Sequence, residues 1–275
     1  MPYWRRRRSA AWRKPQHEVS GLADGVSSYP GGQFAAVSKR WRSSRRLVAG
    51  WEYGVRSARI ARLYARIAFG ADSRRLARHA SVAGAFPPGS LVLDVPSGGG
   101  ILLRTLRPGR PIHYVAADLS PLMLARARDE AASLGLDFVK CQEADAAALP
   151  FGDGTFDAVL SYTGLHCFPD PRAALREMIR VLRPDGRLRG SLVVRGERVV
   201  SDMVIRICQR QKIFGAVETA QQFGSWLAEE DMRRTRLERH GSILAFSCRK
   251  PQDESGAGAR EFTRALPQPA HRRRT

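Results

Sequence analysis

Apolar and polar residues along this chain follow two alternating rhythms. Ile60, Leu63, Tyr64 and Ile67 recur at helical spacing, interleaved with Arg59, Arg62 and Arg66, which predicts an amphipathic helix. A second helix is expected over Arg74 to Ala83, ended by Pro87-Pro88-Gly89. The rhythm then changes. LVLDV (91–95) is a continuous apolar run, the mark of a strand covered on both faces. A helix near 99–107 stops at Pro108-Gly109, and IHYVAA (112–117) reads as the second strand. Ser120 then caps a helix with Pro121 at its first position, where a missing N–H costs nothing. DFVKCQ (137–142) and FDAVLSY (156–162) are strands three and four. Asp170-Pro171 repeats the capping device and opens a helix through Ala174, Leu175, Met178, Ile179 and Leu182. Arg183-Pro184-Asp185-Gly186 breaks it and turns the chain into strand five (187–194). Residues 199–223 read as amphipathic helix, and 235–250 as two strands around a His240-Gly241 turn. Strands alternating with helices imply right-handed crossovers. The expected fold is α/β, a mostly parallel seven-stranded sheet with an antiparallel edge strand and a helical lid made of residues 55–85 and 199–225.

The ends of the chain follow neither rhythm. Residues 1–45 are rich in Arg, Ser, Gly and Trp, and 251–275 are a second low-complexity stretch, so both are expected to be disordered. A start codon assigned too far upstream is the simplest account of the first, and a basic tether for an acidic surface the alternative. That leaves one domain over residues 46–250. The net charge of +20 sits mainly in these ends: residues 1–46 hold eleven bases against two acids and 249–275 seven against three. Within 47–248, 28 bases face 21 acids, an excess of seven. Only five of the 46 basic residues are lysine, a bias that GC-rich coding explains more simply than phosphate binding does, so nucleic acid is not the expected partner. Cys141, Cys167, Cys208 and Cys248 form no CxxC pair, which leaves neither metal spacing nor a disulfide framework and points to a reducing cytoplasm. Nothing approaches the roughly eighteen apolar residues of a membrane span.

Chemistry gathers at the strand ends. Asp94-Val95-Pro96-Ser97-Gly98-Gly99-Gly100 follows the first strand and opens a helix, presenting backbone N–H groups without Cβ atoms in the way. Asp118 ends the second strand, eighteen residues beyond Gly100, where an acid can accept from both hydroxyls of a ribose; Leu119 follows it. After the third strand, the Asp145 carboxylate can take the amine of an adenine while the Ala146 N–H faces a ring nitrogen. Each Asp alone reads equally well as an N-cap or a solvated loop acid. In this order, one βα unit apart, the three are far more specific.

These motifs resemble the class I S-adenosylmethionine (SAM)-dependent methyltransferases, in particular the type 11 group that includes ubiquinone- and menaquinone-biosynthesis enzymes. LDVPSGGG is similar to the family's glycine motif and VAADLSPLMLARAR to its acidic strand end. DAAALPFGDGTFDAVLSYTGLHCFPDPRAALREMIRVLRPDGRL is similar to its block from adenine site to strand five. The likeness runs over about residues 60–250. It departs at Pro96, which stands at the first glycine of D-x-G-x-G-x-G, and at Asp185, which leaves Gly186 alone to serve the turn before strand five. The resemblance implies a Rossmann-like sheet with SAM as cofactor. Asp94 would orient the glycine loop, and Ser97, Gly98, Gly99 and Gly100 would lie along the methionine portion. Asp118 and Leu119 would hold the ribose, Asp145 and Ala146 the adenine, and Ser161 and Tyr162 would line the methyl-donor end. LYARIAFGADSRRLAR resembles the cap of the quinone-pathway enzymes, which would make Tyr64 a lid residue; the acid that follows it in those enzymes is Ala65 here.

Methyl transfer from a sulfonium needs positioning, desolvation and, for some acceptors, a base. His166, four residues past Tyr162, is the candidate base, with loop packing as its competing role. Ile205, Ile207, Phe214 and Val217 would give the lid an apolar pocket for a small organic acceptor. An NAD(P)-dependent oxidoreductase is the first rival, opposed by the Asp145 block, the closing hairpin and the lack of GxGxxG. A nucleic-acid methyltransferase lacks its N/D-P-P-Y/F tetrapeptide, SYTG standing there instead. A catalytically silent protein of the same fold is the third.

Overall fold

The computed structural model describes residues 31–44, 58–81, 86–109 and 112–252. Seven strands form one sheet: β1 (Leu91–Asp94), β2 (His113–Asp118), β3 (Val139–Glu143), β4 (Phe156–Tyr162), β5 (Leu182–Val193), β6 (Arg233–His240) and β7 (Ile243–Arg249). Their order is β3-β2-β1-β4-β5-β7-β6. β1 to β5 pair in parallel, and the closing hairpin forms the far edge, with β7 antiparallel to both β5 and β6. This is the expected Rossmann-like sheet. Both faces are covered, so neighbouring residues of one strand serve different cores. Leu93 and Val159 pack on one face with α5 (Pro171–Val181) and α7 (Ala220–Glu229). Val92 and Leu160 pack on the other with residues around α4 (Pro121–Ser133). That is why β1 and β4 are unbroken apolar runs.

The capping devices form as the sequence indicates. The Ser120 hydroxyl accepts from the Met123 N–H at the start of α4, and Asp170 accepts from the Arg172 and Ala173 N–H groups at the start of α5. The break expected at 183–186 is an irregularity inside β5, where the pairing with β4 shifts register, and Gly186 does not carry the left-handed backbone there. Asp185 does, at φ 56, a conformation Asp tolerates better than most residues, with its carboxylate on Arg249 at 2.8 Å.

Several expectations need correction. Residues 31–43, expected to be disordered, form α1 (Gly31–Ser43), with Val37 buried. Phe34, Val37 and Trp41 are spaced three and four apart, a short helical pattern that the surrounding Gly, Ser and Arg obscure. Residues 1–30 and 253–275 lie outside the described residues. The helix foreseen over 99–107 is only a 3₁₀ turn, Ile101–Thr105. The first lid segment supplies α2 (Ala58–Phe69) and α3 (Ser73–Ser81). The second is not one helix: α6 (Val199–Arg210) packs with α2, while Phe223 of α7 is fully buried in the main core. An amphipathic pattern records that a helix has a buried side but not which neighbour buries it.

Candidate active site

The carboxyl ends of β1 to β4 meet where the strand order reverses between β1 and β4, and an open cleft lies across them. Its floor is the turn after β1. Ser97 N–H donates to the Ala117 carbonyl at 2.8 Å, and Gly98 N–H to Asp118 Oδ2 at 2.9 Å. Ser120 N–H donates to Asp118 Oδ1 at 2.8 Å, so the carboxylate is clamped by backbone on both oxygens. Each oxygen keeps a further lone pair for a ligand hydroxyl. Burial pushes the Asp118 pKa up to about 6, against the lowering effect of these hydrogen bonds. Gly100 sits behind the floor with φ 83, where a Cβ would lie 2.8 Å from Leu103 Cδ1 and 3.2 Å from Ala127 Cα. It packs the turn onto α4 and does not line the cleft. Pro96 lines it, with its ring against Gly164, where any Cβ would overlap the proline.

Asp94 is 1% exposed and borders the cleft. Its Oδ2 accepts from the Tyr114 hydroxyl at 2.9 Å, whereas Oδ1 has no partner among the described residues. Burial, with a further push from the Asp118 charge, raises its pKa to about 8. A buried acceptor without a donor is costly, and a cationic ligand group in the cleft would relieve it. On the other side, Leu119 and Met123 offer apolar surface beside Asp145 and Ala146. Asp145 Oδ1 takes the Ala147 N–H at 2.9 Å and remains exposed.

At the end of β4, Tyr162 and Thr163 line the cleft. The Tyr162 hydroxyl lies 3.0 Å from His79 Nδ1 and donates at 3.1 Å to the His79 carbonyl, tying α3 to the strand end. Burial raises the Tyr162 pKa to about 12; burial, then Arg189, lowers that of His79 to about 4. A roof comes from α1, whose Ser38 and Trp41 line the cleft. Trp41 Nε1–H donates to the Ile213 carbonyl at 2.9 Å, and Arg42 pairs with Glu143.

Four expected site residues are elsewhere. His166 is buried under the loop, its Nδ1 accepting the Val193 N–H at 3.2 Å and its ring edge-on to Phe214 at 4.6 Å. Burial lowers its pKa to about 3, so it is a neutral core residue and not a base at the cleft. Tyr64 is half exposed, edge-on to Phe69, and does not line the cleft. Ser161 is fully buried beneath the floor, and Gly100 packs as described. Ile205, Phe214 and Val217 bury one another in a separate cluster, and Ile207 faces outward, so the lid's apolar residues do not line the cleft. Side chains of the cleft that the sequence did not single out include Ser38, Trp41, Ile101, Arg104, Met123, Thr163 and Phe168, and His79 holds Tyr162 from outside it. Of these Met123 was legible, standing in the first turn of the helix that the Asp118 segment opens.

Backbone amides clamp an acid at the end of β2, a carboxylate oxygen at the end of β1 has no partner among the described residues, and an open flank lies beside Asp145. The segment that carries them is similar to the class I, SAM-dependent methyltransferases. Residues 93–189 match the family described as methyltransferase domain, type 11, and that segment belongs to it. Demethylmenaquinone methyltransferase of Thermus thermophilus is 44% identical over 125 residues, 44% of this chain and 55% of the relative. Phthiotriol/phenolphthiotriol dimycocerosates methyltransferase of Mycobacterium tuberculosis is 40% identical over 102 residues, 36% of each chain. Thus the chain spans about half the length of the first relative and about a third of the second. Among solved structures, phosphoethanolamine N-methyltransferase 2 of Haemonchus contortus, solved with S-adenosylhomocysteine, superposes with a TM-score of 0.56 at 17% identity, covering 69% of this chain and 56% of that one. No helix among the described residues is long and apolar enough to cross a membrane.

Proposed function

We propose that the protein transfers the methyl group of SAM to a small, partly apolar organic acceptor. The observation that carries this reading is the Asp94–Asp118 pair, one oxygen unpartnered and the other carboxylate clamped by Gly98 and Ser120. SAM supplies an electrophilic methyl on a sulfonium. The chain's part is to bind and exclude water. Asp118 accepts the ribose hydroxyls, Asp145 and the Ala146 N–H meet the adenine edge, and Asp94 Oδ1 takes the ammonium of the methionine portion. Ser97, Gly98 and Gly99 let that portion lie against backbone. Tyr162 and Thr163 stand at the donor end, and Trp41 roofs the cleft.

No histidine lines the cleft among the described residues. The Tyr162 phenol, pushed up to about 12, is a hydrogen-bond donor at neutral pH. Catalysis therefore rests on proximity and desolvation, which suits an acceptor that ionises readily without a dedicated base. A small molecule fits this cleft better than nucleic acid does, and four free thiols suit a reducing, cytoplasmic setting.

Calorimetry tests the reading. SAM and S-adenosylhomocysteine should bind the parent, and Asp118→Ala should weaken both by about 2–4 kcal/mol through lost, charge-assisted hydrogen bonds. Tight NADH binding with no SAM binding would overturn it in favour of the oxidoreductase.

A further inference from the structure

Large apolar side chains left in solvent are not scattered over this protein. Of ten such side chains among the described residues, eight lie on α2 and α6. On α2, Ile60, Leu63, Tyr64 and Ile67 are 40–61% exposed and follow the i, i+3, i+4, i+7 spacing of one stripe. The same helix turns its small residues inward, Ala65 and Ala68 packing on the lid cluster with Phe69. The pattern that predicts a core-facing helix is thus presented largely to solvent. On α6, Val199, Val200, Met203 and Ile207 are 45–80% exposed on the side opposite buried Ser201 and Ile205.

The two stripes belong to one ridge. Ala68 and Phe69 share a cluster with Ile205, and Val204 and Cys208 pack against it. The Arg198 guanidinium lies against Gly70, so the end of α2 meets the start of α6. Cys167, on the cleft wall, packs on the same cluster, which sets the ridge beside the cleft. A third face of α2 carries Arg59, Arg62 and Arg66, all exposed, and the helix has no acid. Arg206 and Arg210 add to the rim on α6. The one acid of α2 and α6, Asp202, accepts the Gly196 N–H at 2.9 Å.

We propose that the α2–α6 ridge seats the protein on an anionic lipid surface. The aliphatic side chains enter the headgroup–acyl boundary and the arginines meet phosphates. Charge decides against a second copy of this chain. A two-fold interface would set α2 against α2 and bring their arginines together, with Asp202, already held on the Gly196 N–H, the one acid within the two helices. Charge alone does not make the surface, because a purely electrostatic partner has no use for eight exposed aliphatic and aromatic groups.

The test is sedimentation of the full chain with vesicles. One set is equal parts phosphatidylglycerol and phosphatidylcholine, the other phosphatidylcholine alone. The parent should bind the anionic vesicles and keep part of that binding at about 0.5 M salt, where exposed charges are screened. A Leu63→Ser, Ile67→Ser, Met203→Ser variant, its fold verified by circular dichroism, should bind about tenfold more weakly and lose the salt-resistant part. Arg59→Gln with Arg66→Gln should lower binding to the anionic set and leave the salt-resistant part. Hydrogen exchange should slow over 58–69 and 199–210 on vesicles. The proposal is overturned if the serine variant binds as the parent does, since the basic chain ends would then account for binding. Protection confined to other segments would also overturn it, as would a parent dimer that the serine variant converts to monomer. SAM affinity, unchanged in all variants, keeps this outcome separate from the methyltransferase reading.

Discussion

His166 and Asp94 carry opposite charges when ionised, and the fold keeps both neutral. The His166 pKa falls from 6.5 to about 3 through burial, so the native state favours the neutral ring. The stability this contributes is whole above the unfolded value and is lost as pH falls from about 6.5 towards 3. His79, lowered to about 4, adds a second such group. Urea denaturation of the parent should therefore weaken below about pH 6.5, by up to about 1.4 kcal/mol per unit for each group. His166→Ala should cost about 2–4 kcal/mol at neutral pH, from lost packing on Phe214 and an unpaired Val193 N–H, and should show a shallower acid slope. SAM affinity should hardly move; a tenfold fall in transfer rate at intact stability would restore the catalytic role. Asp94 runs the other way. Its carboxyl stays protonated up to about pH 8 in the free protein, and a ligand ammonium favours the ionised form. SAM binding should thus release protons and tighten as pH rises from about 6 to 8. Calorimetry in buffers of different ionisation enthalpy reads that release directly, and Asp94→Asn should abolish it.

At the scale of elements, α1 departs furthest from expectation. Its tryptophan lines the cleft and is pinned to the Ile213 carbonyl, while Arg42 holds the far side at Glu143. Deleting residues 1–44 should leave the sheet intact and weaken SAM binding about tenfold, mainly through faster dissociation, since a roof slows escape more than entry. Trp41→Ala in the full chain should give part of that loss, and equal affinity for the shortened chain would show α1 to be ornamental. The contrast with the strands explains what was legible. β1, β4 and the capped starts of α4 and α5 each announce themselves locally, through an apolar run or a Ser-Pro or Asp-Pro pair. The acid at the end of β2 and the glycine turn follow from them by order alone. Long-range partners leave no local mark. Nothing near Trp41 names Ile213, and nothing near Tyr162 names His79, 83 residues away. His166 misled because a loop histidine at a strand end has the same spelling whether its ring meets substrate or core.

At the scale of the whole molecule, cofactor and fold are linked through mass action. A ligand that binds the native state and not the unfolded chain stabilises by about 2.7 kcal/mol at a hundred times its dissociation constant. In a domain of this size that corresponds to a midpoint rise of roughly 5–10 °C. The site makes the link global. Asp94, Gly98, Asp118, Asp145 and Tyr162 end or follow four different strands, so a ligand touching them ties β1, β2, β3 and β4 together. SAM and S-adenosylhomocysteine should each raise the unfolding midpoint as one cooperative shift. NADH should not, because the floor lacks the glycine spacing that brings a helix N-terminus to a pyrophosphate. Asp118→Ala should lose most of the shift and keep the unliganded midpoint within a few degrees, since near neutral pH the cost of holding this buried carboxyl ionised, with its pKa raised to about 6, offsets the hydrogen bonds it accepts from Gly98 and Ser120. A midpoint raised by NADH alone would assign the cleft to a dinucleotide. A midpoint moved equally by SAM in parent and variant would place the ligand somewhere other than the end of β2.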